Sequence, residues 1–145
     1  MKEIFVLRHA KSSWDNVNLS DHDRPLADRG IKDAAKLCVF VKNKGYMLDE
    51  VLCSTAKRAK ETFDLTADGF NFEIGRTTYT DKLYFGDATD LIKHLMELDE
   101  SLNNILIVGH NPTLHHLVEL LANEQIDRFT TCNLAIISHA GKWIS

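Results

Sequence analysis

Long apolar runs are missing from this sequence. The N-terminus, MKEIFVLRHAK, reaches only four consecutive apolar residues, Ile4 to Leu7, before an Arg8-His9 pair. That is too short for the core of a signal peptide and far too short to span a membrane, so a cytoplasmic protein without membrane association is expected. Cysteine is scarce: Cys38, Cys53 and Cys132 form an odd set with neither CxxC nor Cys/His ligand spacing, and are expected to be reduced core thiols. An excess of basic charge is missing as well. Seventeen Lys and Arg against 21 Asp and Glu give a formal net charge of -4. That balance argues against nucleic acid or an anionic membrane as partner, and any bound anion must be held by a local pocket. There is no internal repeat, low-complexity tract or linker. With 145 residues, 44% hydrophobic and 26% charged, the chain reads as a globular domain over residues 1–145, neither disordered nor fibrous.

Two kinds of segment alternate along the chain. Ile4-Phe5-Val6-Leu7 and Ile105-Leu106-Ile107-Val108 are short β-branched-rich runs, the pattern of strands buried on both faces of a parallel sheet. Val51-Leu52-Cys53 is a shorter run of that kind, and Ala135-Ile136-Ile137 predicts a late strand ahead of Lys142-Trp143-Ile144. Helical spacing links Ile31, Ala34, Ala35, Cys38 and Val41, with Gly45 placed to end that helix. Ala56, Ala59, Phe63 and Ala67 predict a second helix capped by Ser54 or Thr55. Leu91, Ile92, Leu95, Met96 and Leu98 predict a third. Leu114, Leu117, Val118, Leu121 and Ala122 predict a fourth, with Asn111 as cap and Pro112 at the first helical position. Strands alternating with helices predict a three-layer α/β/α sandwich around a mostly parallel sheet. Residues 10–25 form a long polar connection and 69–86 an irregular one with one short strand; long loops in a compact domain often carry function.

In open α/β sheets ligands bind beyond the carboxyl ends of the strands. Three clusters occupy those positions: Arg8-His9, Cys53 to Arg58, and Gly109-His110-Asn111-Pro112. Two arginines and two histidines are thereby expected at one end of the sheet. Guanidinium forks hold phosphate oxygens, and the helix opening at Pro112 offers N–H groups and a positive dipole end. None of the three clusters carries a carboxylate set to ligate a metal. A neutral imidazole is a competent nucleophile toward phosphorus, and neighbouring Arg8 and Arg58 are expected to disfavour the charged form of His9. The residues alone thus predict attack by His9 on phosphorus, with Arg8, Arg58 and His110 stabilising the equatorial oxygens.

The stretch Leu7-Arg8-His9-Ala10-Lys11-Ser12-Ser13-Trp14 resembles the opening signature of the histidine phosphatase superfamily, the phosphoglycerate mutase-like fold, and in detail the small bacterial SixA-type phosphohistidine phosphatases. Three further blocks resemble that family in order: Asp23 to Gly30, Cys53 to Thr62, and Val108 to Leu114. The resemblance implies a metal-independent phosphatase without cofactor, with His9 as phosphorylated nucleophile and Arg8, Arg58 and His110 as the phosphate pocket. It implies further that Arg24 lies near the substrate phosphate. Ser12 and Asn111 are expected at the pocket rim. Ala10 stands where the family has glycine, which demands a backbone conformation open to alanine. The general acid of mutase-like members has no matching motif; Asp81 lies in about the right region, and water is the other source of the proton. An imidazole leaving group needs an acid less than an alkoxide does. Together with the absence of an inserted cap, this favours phosphohistidine on a protein as substrate. A small phosphorylated molecule, such as a sugar phosphate or nucleotide, and a non-catalytic phosphate-binding module are the alternatives.

Other residues have plainer expected roles. Helical spacing puts His116 opposite the Leu114-Leu117-Val118-Leu121 face and His115 at its flank, so both are expected at solvated or rim positions; His110 and His115 lack the Glu of HExxH, and no metal is expected. His22, His94 and His139 read as surface or satisfied residues, and Lys57 and Lys60 as a solvated helix face. Cys53 reads as a small buried hydrophobe. Trp14 is either a wall of the pocket or an anchor for the long loop.

Overall fold

The computed structural model describes residues 2–139. Lys142-Trp143-Ile144 lie outside the described residues. Five strands form one sheet: β1 (Lys2–Arg8), β2 (Glu50–Ser54), β3 (Thr78–Thr80), β4 (Asn104–Gly109) and β5 (Leu134–His139), in the order β3-β2-β4-β1-β5. All neighbours are parallel except β5, which pairs antiparallel with β1. The helices are α1 (Asp28–Lys44), α2 (Lys57–Thr66), α3 (Lys82–Phe85), α4 (Ala88–Met96) and α5 (Thr113–Ala122). No helix among the described residues is long and apolar enough to cross a membrane.

The continuous apolar runs are explained by two separate cores. Side chains alternate across a strand. On one face Ile4, Val6, Leu52, Ile105 and Ile107 pack against Leu91 and Leu95 of α4 and Leu114, Leu117 and Val118 of α5. On the other, Phe5, Leu7, Val51, Leu106 and Val108 pack against Val41 of α1 and Ala59 and Phe63 of α2. Every residue from Ile105 to Val108 is fully buried, as a central parallel strand covered on both faces requires.

Helix ends follow the sequence in part. Gly45 closes α1 in the left-handed conformation at φ 69° and donates its N–H to Val41 and Lys42 carbonyls. At α4 the Asp87 carboxylate accepts from the Asp90 N–H. The expected hydroxyl cap of α2 is corrected: Ala56 occupies that position without a side-chain cap. Ser54 is instead the last residue of β2, and the Thr55 hydroxyl donates to Asp81. Pro112 sits one position earlier than expected, outside the first turn of α5, and the Asn111 side-chain oxygen accepts from the His115 N–H at 3.2 Å. The cysteines are all free, but only Cys53 is fully buried; Cys38 and Cys132 are half-buried.

The long connection between β1 and α1 is held close to the sheet. Ser12 bridges to Leu26, Ser13 N–H donates to the Pro25 carbonyl, and Ala27 N–H donates to the Lys11 carbonyl. Gly30 faces that same Lys11 carbonyl so closely that a Cβ there would lie 2.1 Å from its oxygen. Only glycine lets α1 approach the loop this tightly.

Candidate active site

The strand-end residues meet in one cavity of about 270 Å³, lined by Arg8, His9, Ser12, Arg24, Arg58, His110 and Asn111, with Trp14 at its edge. Parallel pairing produces this meeting: Arg8 stands in register with Gly109, so His9 and His110 leave adjacent strands side by side, with ring centroids 4.9 Å apart. Arg58 arrives from the first turn of α2, which follows β2 on the other side of β4.

His9 is buried and oriented. Its Nδ1 lies 2.7 Å from the carbonyl oxygen of Ala10, which can only accept, so the proton resides on Nδ1 and the lone pair on Nε2. Burial pushes the His9 pKa down to about 4, and the charges of Arg58, Arg8 and Arg24 add to that effect. The neutral state expected from the arginines is therefore reached, but desolvation is the leading cause. His110 is pushed down to about 3, again first by burial and then by His9 and Arg58. Its Nε2 is 2.7 Å from the Ser54 hydroxyl, and its buried Nδ1 has no partner among the described residues.

Ala10 is fully buried, and the positive-φ positions among the described residues are Gly45, Asn71, Asn123 and Cys132, so alanine meets no backbone penalty here. Its N–H donates to the Thr62 hydroxyl at 2.9 Å, and that hydroxyl donates to the Arg58 carbonyl at 2.7 Å. One buried side chain thus joins the strand end bearing His9 to the helix bearing Arg58.

The arginines are held by a residue that sequence reasoning missed. Asp21, in a short 3-10 turn, accepts from Arg24 Nη1 and from Arg58 Nη2, each at 3.0 Å, and from the Tyr84 hydroxyl at 2.5 Å. Its backbone carbonyl accepts from Arg58 Nη1 at 2.6 Å. The Tyr84 hydroxyl, followed by Arg58 and Arg24, holds the Asp21 carboxyl far below the usual carboxylate range. Asp21 precedes the Asp23-to-Gly30 block by two positions, and no periodicity marks it.

The remaining expected residues divide. Arg24 is buried, donates from Nη2 to Ser12 Oγ at 2.5 Å and from Nε to the Ser13 carbonyl, and lies under Trp14 with its guanidinium carbon 3.2 Å from the ring centroid. Trp14 is thus a wall of the pocket. Arg8 donates from Nη1 to the Phe129 carbonyl, while its buried Nε has no partner among the described residues. Asn111 lines the cavity, yet both ends of its amide are committed, to the Phe129 carbonyl and the His115 N–H. Asp81 is not brought into the cavity lining: it is exposed and accepts from Thr55, whose hydroxyl oxygen lies 2.9 Å from His22 Nε2. From α3 it is Tyr84 that meets the histidine, with the Tyr84 and His110 rings 5.4 Å apart. His115 faces the Ile126 carbonyl, and His116 is exposed. No group of three or more His, Cys, Asp or Glu among the described residues could hold a metal.

The depressed histidines carry a stability consequence. Between about pH 6.5, where unfolded histidine titrates, and about pH 4, the unfolded chain binds protons that folded His9 refuses. Stability is therefore expected to fall as pH is lowered through that window. Urea midpoints at pH 7 and pH 5 test this, and His110→Ala should lessen the difference.

The family described as histidine phosphatase superfamily (branch 1) matches residues 4–91. An uncharacterized protein of Mycobacterium leprae is 34% identical, covering 94% of this chain and 89% of its own. The phosphohistidine phosphatase SixA of Escherichia coli strain K12 is 26% identical over 94% of this chain and 84% of its own. The structure of protein histidine phosphatase SixA complexed with tungstate superposes with a TM-score of 0.85 at 26% identity, covering 94% of this chain and 87% of that one. The sheet order, the three layers and the mostly parallel pairing are those of the phosphoglycerate mutase-like fold. From its sequence match and its architecture alike, the chain belongs to the histidine phosphatase superfamily.

Proposed function

We propose that the protein is a phosphatase that forms a covalent phosphohistidine on His9 and takes its phosphoryl group from phosphohistidine on another protein. The observation that carries this reading is the Nδ1 contact of His9 with the Ala10 carbonyl, which leaves the Nε2 lone pair free on a neutral, fixed ring. Nε2 attacks phosphorus and the bond from phosphorus to the leaving nitrogen breaks; that nitrogen keeps the electron pair, and its ring, protonated by water on the other nitrogen, departs as neutral imidazole. Arg8, Arg58 and His110 stabilise charge on the equatorial oxygens, assisted by Arg24 and Ser12. Water then attacks phosphorus, the bond from phosphorus to Nε2 breaks with its electron pair returning to Nε2, and inorganic phosphate leaves carrying the water's protons, which restores neutral His9.

The carboxylates support the choice of substrate. Asp21 is held ionised between two guanidiniums and a phenol and is a poor proton donor. Asp81 is engaged with Thr55 outside the cavity lining. A site without a poised acid suits an imidazole leaving group better than an alkoxide. Trp14, which lines the cavity, is 69% exposed, so a protein surface can approach the site along this edge. The relative named phosphohistidine phosphatase SixA supports the same reading.

Turnover of a histidine-phosphorylated protein, measured beside a panel of sugar phosphates and nucleotides, tests the substrate. Phosphohistidine should be hydrolysed far faster. Preference for a sugar phosphate or nucleotide would assign the same chemistry to a small-molecule phosphomonoesterase, and phosphate binding without any turnover would leave a binding module. Activity is expected to persist undiminished in EDTA; a strict Mg²⁺ requirement would contradict the proposed mechanism, in which guanidinium and imidazole groups stabilise the charge.

A further inference from the structure

Ser54 is fully buried at the end of β2, and its hydroxyl has one proton to place. The Ser54 oxygen already accepts from the Ala56 N–H at 3.2 Å. Its remaining close partner is His110 Nε2 at 2.7 Å. A buried hydroxyl that donates to nothing is costly, so the Ser54 O–H is directed at Nε2, and Nε2 must act as acceptor. The single proton of neutral His110 then belongs on Nδ1, the buried atom with no partner among the described residues. The opposite tautomer would leave two groups unsatisfied: the serine O–H, and an Nδ1 lone pair facing an anion site.

The geometry points to Ser54 as a positioning residue that fixes the His110 proton on Nδ1, so that this nitrogen donates to an oxygen of the bound phosphoryl group. The two histidines thus carry their proton on the same nitrogen for opposite purposes. At His9 the Ala10 carbonyl holds Nδ1–H and frees Nε2 to attack; at His110 the Ser54 hydroxyl holds Nε2 and frees Nδ1–H to donate. Neither ring needs a positive charge. Only the donation to a phosphoryl oxygen rests on the proposed phosphatase chemistry; the tautomer is a property of the resting protein.

The test has a spectroscopic arm and a kinetic arm. ¹⁵N spectra of histidine-labelled protein near neutral pH should show His110 protonated on Nδ1 and bare on Nε2, and Ser54→Ala should convert this to a mixture of tautomers. In Ser54→Ala, tungstate affinity and kcat/KM are each expected to drop about tenfold, the effect of roughly one hydrogen bond. Ser54→Cys nearly preserves shape but donates weakly, and should behave like alanine. A wild-type His110 protonated on Nε2 overturns the inference, as does a Ser54→Ala protein with unchanged tautomer and tungstate affinity. Tungstate binding and ring spectra need no turnover, so failure of the phosphatase reading would appear separately, as absent hydrolysis with the tautomer intact.

Discussion

His9→Ala is expected to abolish the covalent intermediate and, with it, measurable hydrolysis. The proposed nucleophile has no substitute among the described residues lining the cavity: His110 is the other imidazole there, and its Nε2 is engaged by Ser54. Incubation with a ³²P-labelled donor, followed by alkaline gel separation and peptide mapping, should place label on His9 in the wild type and none in the variant. The substitution should not unfold the chain. His9 lies beyond the last residue of β1, its ring contacts are polar, and burying a neutral imidazole contributes little that a small apolar side chain would forfeit. Undiminished turnover in His9→Ala would refute the assignment outright, and label on another residue would relocate the nucleophile.

Arg58→Ala carries the second-largest expected effect, a loss in kcat on the order of 10² to 10³, comparable to removing one preorganised oxyanion donor. Arg58 does two things that alanine cannot. It supplies fixed positive charge 5.8 Å from the Tyr84 ring, at the cavity wall, and it engages both the carboxylate and the backbone carbonyl of Asp21. Its removal therefore also loosens the 3-10 turn that carries Asp21 and, through Asp21, the placement of Arg24. Arg58→Lys should recover only part of the loss, because an ammonium keeps charge but cannot hold two partners in a planar fork. Steady-state kinetics with a phosphohistidine donor decides it; an Arg58→Ala enzyme within a few-fold of wild type would remove Arg58 from the phosphate pocket.

Much of this was legible in the sequence, for identifiable reasons. The runs at residues 4–7 and 105–108 declared central parallel strands because both faces of the sheet are covered, and the rule that ligands sit past strand ends then located Arg8, His9, Arg58 and His110 without coordinates. What escaped was whatever depends on tertiary placement of an irregular segment. Asp21 reaches Arg58 across 37 positions from a loop whose course no periodicity dictates. Ser54 and Thr62 stand inside a recognised block, yet their tasks are donor–acceptor accounting among buried groups, which requires distances. The cap expected for α2 failed because the helix begins at Lys57, which puts Ala56 at the cap; Ser54, two residues earlier, accepts from the Ala56 N–H and meets His110. Asp81 was placed by chain position alone; it accepts from Thr55 and is not among the residues that line the cavity.

The Thr62 hydroxyl, receiving from Ala10 and giving to Arg58, has a mechanical outcome. Strand tip and helix start are riveted at one point, so thermal displacement of one carries the other along. Under the proposed chemistry, that single hydroxyl would hold the spacing between the attacking nitrogen of His9 and the guanidinium of Arg58.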